Sequence, residues 1–234
     1  MKLLRAGITL AALSGLVCAG TTTFAADRTL TPEQTANLYL RTFINGDFAS
    51  AIELDHLLSP EFPVGNMVDL NAFVSIIDAS MAWVTSPPDQ RRTLTEALAE
   101  FRSVLIGSVQ RSQCSATNSK VVPNAKVKGH FIATVSYECL VPDISGASAE
   151  AGDWTNMRAD LKAGKLTAGV YHTISQAFRT APLTCRISGS MNLYASPDKK
   201  LWWTSDTPKD TWALILEAML LKPMQSKPCK TDRT

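Results

Sequence analysis

The chain of 234 residues carries little excess charge of either sign, with 23 basic and 21 acidic residues. Residues 1–25 contain two of the basic residues and none of the acidic ones, so the remaining chain is electrically balanced. A nucleic-acid-binding protein needs a clustered basic surface. The composition therefore argues against a nucleic-acid partner.

Histidine is also scarce, and the three histidines lie far apart in three different predicted elements: His56, His130 and His172. Metal sites prefer ligands that are close in sequence or converge on one cleft. His56 stands next to Asp55 and one helical turn after Glu53, which favours charge pairing on a helix surface over an acid–base pair. We expect no metal site.

Motifs of the common enzyme families are missing. The sequence has no Gly-x-Ser-x-Gly, no His-Glu-x-x-His, no phosphate-binding glycine loop and no calcium loop. Ser196-Pro197-Asp198-Lys199 matches Ser-x-x-Lys in form, but it lies in a predicted hairpin turn and not at a helix start. We therefore expect no catalytic residue and no cofactor.

The N-terminal apolar run, residues 6–20, is too short for a membrane span. Lys2 and Arg5 precede it, and Thr23-Phe24-Ala25 ends it with small residues at the positions that signal peptidase requires. This pattern predicts a secretory signal peptide, residues 1–25, cut after Ala25. Residues 26–234 would then form a single domain, periplasmic or secreted, without a stable membrane anchor.

Without Cys18, which lies inside the predicted signal, four cysteines remain: Cys114, Cys139, Cys185 and Cys229. An even count in an exported protein predicts two disulfides. We favour Cys114–Cys139, which would join consecutive strands, with Cys185–Cys229. Cys139–Cys185 is an open alternative, because both residues lie on apolar faces of predicted strands.

The clearest strand pattern covers residues 126–141, where odd positions are mostly apolar and even positions mostly polar. This period of two is typical of a half-buried strand, with Cys139 facing inwards and His130 on the polar face. We predict three further strands: residues 114–122, 185–194 and 201–204. The last two would form a hairpin across the turn at Pro197.

Helix signals dominate the chain before these strands. Thr31 caps a helix that ends at Asn45-Gly46, and Asp47 caps the next, residues 48–58. Residues 69–110 form a predicted helical hairpin, a possible insertion. Three shorter helices are predicted at residues 154–163, 166–178 (where a strand is the alternative) and 211–221. The fold prediction is α+β, with N-terminal helices packed on a curved antiparallel sheet of about four strands.

The adjacent pair Trp202-Trp203 is the strongest candidate for a binding site. Adjacent side chains in a strand point to opposite faces, so one tryptophan should enter the core while the other faces outwards beside Tyr194. An exposed tryptophan next to a tyrosine is typical of a protein-binding hot spot. The alternative buries both under Trp212 and its helix. The candidate binding residues are Trp202, Trp203, Tyr194 and His130.

Residues 31–62 resemble the opening of the nuclear transport factor 2-like (cystatin-like cone) superfamily. The resemblance rests on the Gly46-Asp47 corner between two helices, on Ala51, and on the exit Ser59-Pro60-Glu61-Phe62. It implies a curved antiparallel sheet. The superfamily includes isomerases, dehydratases and non-catalytic binding modules, so the resemblance implies no particular function.

These observations predict an exported, non-catalytic binding protein of the bacterial envelope, whose partner is another envelope or secreted protein. An immunity- or inhibitor-type protein is one specific form. The alternative is a small-molecule-binding protein or enzyme that uses a pocket between helices and sheet, with Asp55, His56, His130 or His172 as its polar groups. A third possibility is a structural part of an envelope assembly. A deep pocket with a carboxylate near a histidine would favour the second, and an exposed aromatic patch the first.

Overall fold

The computed structural model describes residues 29–60, 62, 88–145, 159, 163, 167–204 and 209–221, and these form an α+β fold. Five helices and a four-stranded antiparallel sheet occur in this part of the chain. The helices are α1 (Pro32–Phe43), α2 (Phe48–Leu58), α3 (Pro88–Gln110), α4 (Ala168–Thr180) and α5 (Lys209–Leu216), which continues as a π-helical turn, Glu217–Leu221. The strands are β1 (Gln113–Pro123), β2 (Phe131–Pro142), β3 (Leu183–Ala195) and β4 (Trp202–Trp203), in the order β1-β2-β3-β4.

The first two helices begin and end at the predicted residues. The Thr31 hydroxyl accepts from the Gln34 backbone N–H at 3.2 Å, and the Gln34 side chain accepts from the Thr31 N–H at 3.0 Å, which completes a capping box. Gly46 adopts a φ of 64°, as a residue in the left-handed region after a helix end must. Asp47 then caps α2 by accepting from the Ala49 N–H at 3.1 Å and from the Ser50 hydroxyl at 2.6 Å.

The predicted alternation in the sheet is confirmed. In the central strand β2 the inward side chains are buried: Ala133, Val135, Tyr137, Cys139 and Val141. In the neighbouring strand β3 the outward residues include exposed polar groups, such as Arg186, Ser188 and Asn192. Among the described residues, the helices pack on the inward face, and the outward polar residues of β3 are exposed to solvent.

Two clusters of buried side chains form the core. The first lies among α3, α4, α5 and the sheet and contains five buried aromatic rings: Phe101, Tyr137, Tyr171, Phe178 and Trp212. The second lies under α1 and α2 and includes Tyr39, Phe43 and Leu54. Trp212 connects the two regions, since its indole N–H donates to the Phe43 carbonyl at 3.0 Å.

The Cys114–Cys139 disulfide is confirmed and joins residues that pair directly across β1 and β2, with Cα atoms 4.0 Å apart. The alternative Cys139–Cys185 bond is therefore wrong, because Cys139 already has a partner. Cys185 is itself disulfide-bonded, to a residue outside the described part of the chain. The described residues thus contain one complete disulfide and not two. Cys229 lies outside them, so its pairing stays a prediction.

The strand predicted from residue 126 is wrong at its start, because β2 begins at Phe131. Residues 124–130 instead form a loop, in which the Asn124 N–H donates to the His130 carbonyl at 2.8 Å and Gly129 has a φ of 82°. Valine and glycine alternate with lysine there, which imitates a strand pattern. His130 therefore lies at the end of this loop and not on the polar face of a strand.

Some of the remaining predicted helices and strands are confirmed, and others lie outside the residues that the structure describes. The helix preferred for residues 166–178 is confirmed as α4, Ala168–Thr180, with Thr167 as its cap. The second arm of the predicted hairpin is α3, whereas its first arm, residues 70–84, lies outside the described residues. The predicted helix at residues 154–163 and the signal peptide also fall outside them, apart from residues 159 and 163. The last predicted strand is shorter than expected and contains only Trp202 and Trp203.

Gly189 provides a test of the packing across β2 and β3. It pairs with Tyr137, whose ring lies so close that a Cβ at position 189 would be 2.6 Å from the tyrosine Cζ. Tyr137 cannot move away easily, because its hydroxyl accepts from the Thr211 hydroxyl at 2.8 Å in a buried site. We expect Gly189→Ala to lower the free energy of unfolding by about 1–3 kcal/mol, the usual cost of overpacking, in denaturant titrations.

Gly107 supplies the matched control, because a Cβ added there on α3 meets nothing within 4 Å. Gly107→Ala should raise the stability by about 0.5–1 kcal/mol, the usual gain inside a helix. Equal effects of the two substitutions would contradict the described contact between Tyr137 and Gly189.

Candidate functional site

Three aromatic residues and one isoleucine form a row on the outward face, at one end of the sheet. We call it the aromatic row, and its members in order are Ile132, Tyr194, Trp203 and Phe62. Its first three members are direct neighbours in the register of β2, β3 and β4. The rings of Tyr194 and Trp203 lie 5.5 Å apart, and Phe62 meets Trp203 edge-on at 5.2 Å. All four side chains are half-buried, so each one presents part of its surface to solvent.

The end of α2 positions the last member of this row. The Phe62 N–H donates to the Leu58 carbonyl at 3.1 Å, which fixes Phe62 close to the end of α2. Trp203 thus lies between the Phe62 ring and the Tyr194 ring of β3. Such rings pack with fixed geometry and leave little conformational freedom to lose on binding.

The two adjacent tryptophans lie on opposite faces, as predicted. Trp202 is only 4% exposed and belongs to the second core cluster, whereas Trp203 is half-buried on the outward face. The alternative in which both are buried is therefore wrong. Trp202 is a core residue, and the accessible position of the pair belongs to Trp203 with Tyr194.

Small polar side chains fill the outward face next to the aromatic row. The Thr134 hydroxyl donates to the Asn192 side-chain oxygen at 2.8 Å, and Arg186 pairs with Glu138 at 2.9 Å further along the same strands. Ser188 and Ser190 lie between these two contacts. An apolar centre beside hydroxyl, amide and charged groups has the composition of a protein-binding surface.

The histidines do not come together. His130 lies half-buried in the loop before β2, and His56 is exposed on α2. His172 Nδ1 lies 3.4 Å from Glu100 Oε2, but its side chain is 67% exposed. Hydrogen bonds from His172 and Arg179 lower the pKa of Glu100, which makes this a surface charge pair. In the part of the chain that the structure describes, no three potential metal ligands are grouped.

A cleft of ≈ 480 Å³ opens between α1, α2 and β1. Its polar lining comes from Gln34, Asn37, Arg41 and Glu53, and Cys114 of the disulfide also lines it. Asn37 is engaged in the fold, since its side-chain oxygen accepts from the Ala116 N–H at 2.8 Å. The cleft contains a carboxylate but no histidine, so the combination expected for an acid–base site is not found there.

Sequence reasoning missed Ile132 and Phe62 as members of the site. Ile132 was detectable, because it and Leu140 are the two large apolar residues among the even positions of the predicted strand. Phe62 carried no comparable signal, because its contact with Trp203 depends on tertiary packing.

No family model, curated protein or solved structure matches this chain. The similarity of residues 31–62 to the nuclear transport factor 2-like superfamily therefore stays a prediction. Within the described residues, no helix is both long enough and apolar enough to span a membrane.

Alanine substitutions should separate the roles of the two tryptophans. Trp202→Ala removes a buried ring and should lower the free energy of unfolding by about 3–5 kcal/mol. Trp203→Ala should cost only about 1–2 kcal/mol, because its ring is already partly solvated. Denaturant titrations of both variants check this. Equal losses would show that Trp203 belongs to the core and that the aromatic row is not a usable surface.

Proposed function

We propose that the protein is an exported, non-catalytic binding protein of the bacterial envelope that recognises another protein through the aromatic row. An immunity- or inhibitor-type protein, which blocks its partner by covering it, is the specific form we favour. The observation that supports this proposal is the half-buried Trp203, which packs against the second core cluster and keeps part of its surface exposed between Tyr194 and Phe62.

The chemistry of that surface fits a protein partner. Tryptophan and tyrosine dominate binding hot spots because they bury a large area with few rotatable bonds. The serine, threonine and asparagine side chains beside the row can supply hydrogen bonds around that centre. The sheet beneath is anchored by the Cys114–Cys139 bond and by the core, so the surface is preorganised.

Export is supported by the predicted signal peptide and by the disulfide, since disulfides persist in oxidising compartments. We infer that Cys185 pairs with Cys229, which would attach the C-terminal tail to β3. Non-reducing peptide mapping of the exported protein should recover two linked pairs, Cys114 with Cys139 and Cys185 with Cys229. A free Cys229 thiol would contradict the second pair.

Site-specific photo-crosslinking tests the binding surface in cells. A photoreactive phenylalanine analogue in place of Trp203 or Tyr194 should crosslink to one envelope or secreted protein. The same analogue at Ala99, an exposed residue of α3, is the control and should not crosslink to it. Trp203→Ala should then abolish copurification of the identified protein, while the variant keeps its fold by circular dichroism.

Two crosslinking results would contradict the proposed binding surface or its kind of partner. Identical products from positions 203 and 99, or none from position 203, would contradict binding through the aromatic row. A crosslink from position 203 to a second copy of this chain would favour the structural-assembly alternative.

The small-molecule alternative is favoured by one observation, the polar cleft between α1, α2 and β1. Arg41 and Glu53 could orient a ligand with complementary charges there. It stands second, because the histidines proposed as its polar groups do not line that cleft.

A further inference from the structure

The end of the sheet where β1 turns into β2 forms a second distinctive surface, which we call the sheet tip. It consists of residues 120–130 and the turn at residues 196–200. The two segments touch, since a Cβ on Gly129 would lie 3.5 Å from Pro197 Cγ. Two turns that are separate in sequence thus present one continuous surface.

Local hydrogen bonds hold both turns of the sheet tip in place. The Asn124 side chain accepts from the backbone N–H groups of Lys126 and Val127 at 2.9 and 3.3 Å. In the other turn, Asp198 accepts from the Ser196 hydroxyl at 2.7 Å and from the Lys200 N–H at 3.2 Å. These side chains are therefore presented on an ordered scaffold.

The sheet tip is basic although the whole chain is nearly neutral. Its five lysines are all exposed: Lys120, Lys126, Lys128, Lys199 and Lys200. The neighbouring carboxylates are Asp198 in the turn and Glu33 on α1, which accepts from Ser119. Five lysines against two carboxylates leave an excess of three positive charges.

Among the described residues, no carboxylate lies within ion-pair distance of any of the five lysine ammonium groups. Asp198 attracts Lys200 at longer range, and the Lys199 ammonium lies 3.8 Å from the centre of the Phe131 ring. The positive charge of the sheet tip is available to an external anion.

Exposed valines stand between the lysines. Val121 is 40% exposed and Val127 46%, and both have lysine as a sequence neighbour or near neighbour. Lysine is depleted in protein–protein interfaces, which favour aromatic side chains and arginine. Short apolar side chains among lysines suit instead the boundary between lipid headgroups and acyl chains.

We propose that the sheet tip binds an anionic phospholipid surface, with the lysines contacting headgroup phosphates and Val121 and Val127 entering the interface. The sheet tip adjoins the aromatic row, because Val122 pairs with Ile132 and the turn at residues 196–200 connects the strands of Tyr194 and Trp203. Lipid contact at the tip would leave open the polar part of the outward face beyond the row, from Thr134 and Asn192 to Arg186. The proposal does not depend on the proposed protein binding.

Vesicle sedimentation tests it with two lipid compositions: phosphatidylcholine alone, and one part phosphatidylglycerol to two parts phosphatidylcholine. The protein should bind only the anionic vesicles, and added salt should release it. Lys126→Glu with Lys128→Glu should weaken binding about 30-fold or more, since each lysine near an anionic surface contributes about fivefold. Val127→Asn should weaken it by a smaller factor without changing its salt dependence.

The matched control is Arg179→Glu with Arg186→Glu, which changes the net charge equally at the other end of the sheet and should leave binding unchanged. All variants share one N-terminus, because residues 6–20 could themselves enter lipid. Thermal melts confirm that each variant is folded. Equal binding to neutral vesicles, no binding to either kind, or full binding by the Lys126/Lys128 variant would overturn the proposal. Attachment of the tip lysines to an acidic protein, without vesicle binding, would also overturn it.

Discussion

The inward side chains of β2 and β3 are the constraint on which the rest of the structure depends. Ala133 and Val135 pack in the second core cluster, whereas Tyr137 and Cys139 pack in the first, so one strand supports both. Gly189 of β3 pairs with Tyr137, and the Tyr137 ring fills the space that a side chain at position 189 would occupy. The inward face carries the buried core, and the outward face carries mainly polar groups and the aromatic row.

The aromatic row and the sheet tip differ in chemistry and have different consequences. The row is nearly uncharged, so its contribution to binding would come from burial and depend little on salt. The sheet tip carries five exposed lysines, whose attraction to anions falls steeply with ionic strength. A protein held at a lipid surface by one and bound to a partner by the other would search for that partner in two dimensions.

Capping residues and the alternation of apolar and polar residues were sufficient to predict the first two helices and the central strands. The N-caps Thr31 and Asp47 located both helix starts, and the period of two located the central strands and the opposite orientations of Trp202 and Trp203. The same period was misleading at residues 126–130, since alternating valine and lysine occur equally in a loop whose shape is set by Asn124 and Gly129. Phe62 was beyond such rules, because its partner lies 141 positions away in sequence.

The contacts that link the two ends of the chain bear on when this protein can fold. The Thr204 N–H donates to the Tyr39 hydroxyl across 165 residues, and the Trp212 indole donates to the Phe43 carbonyl across 169. The N-terminal helix α1 therefore cannot complete its packing until β4 and α5 have been synthesised. Contacts of such high sequence separation form slowly. Late closure keeps a nascent chain unfolded for longer, which would suit the export that we propose.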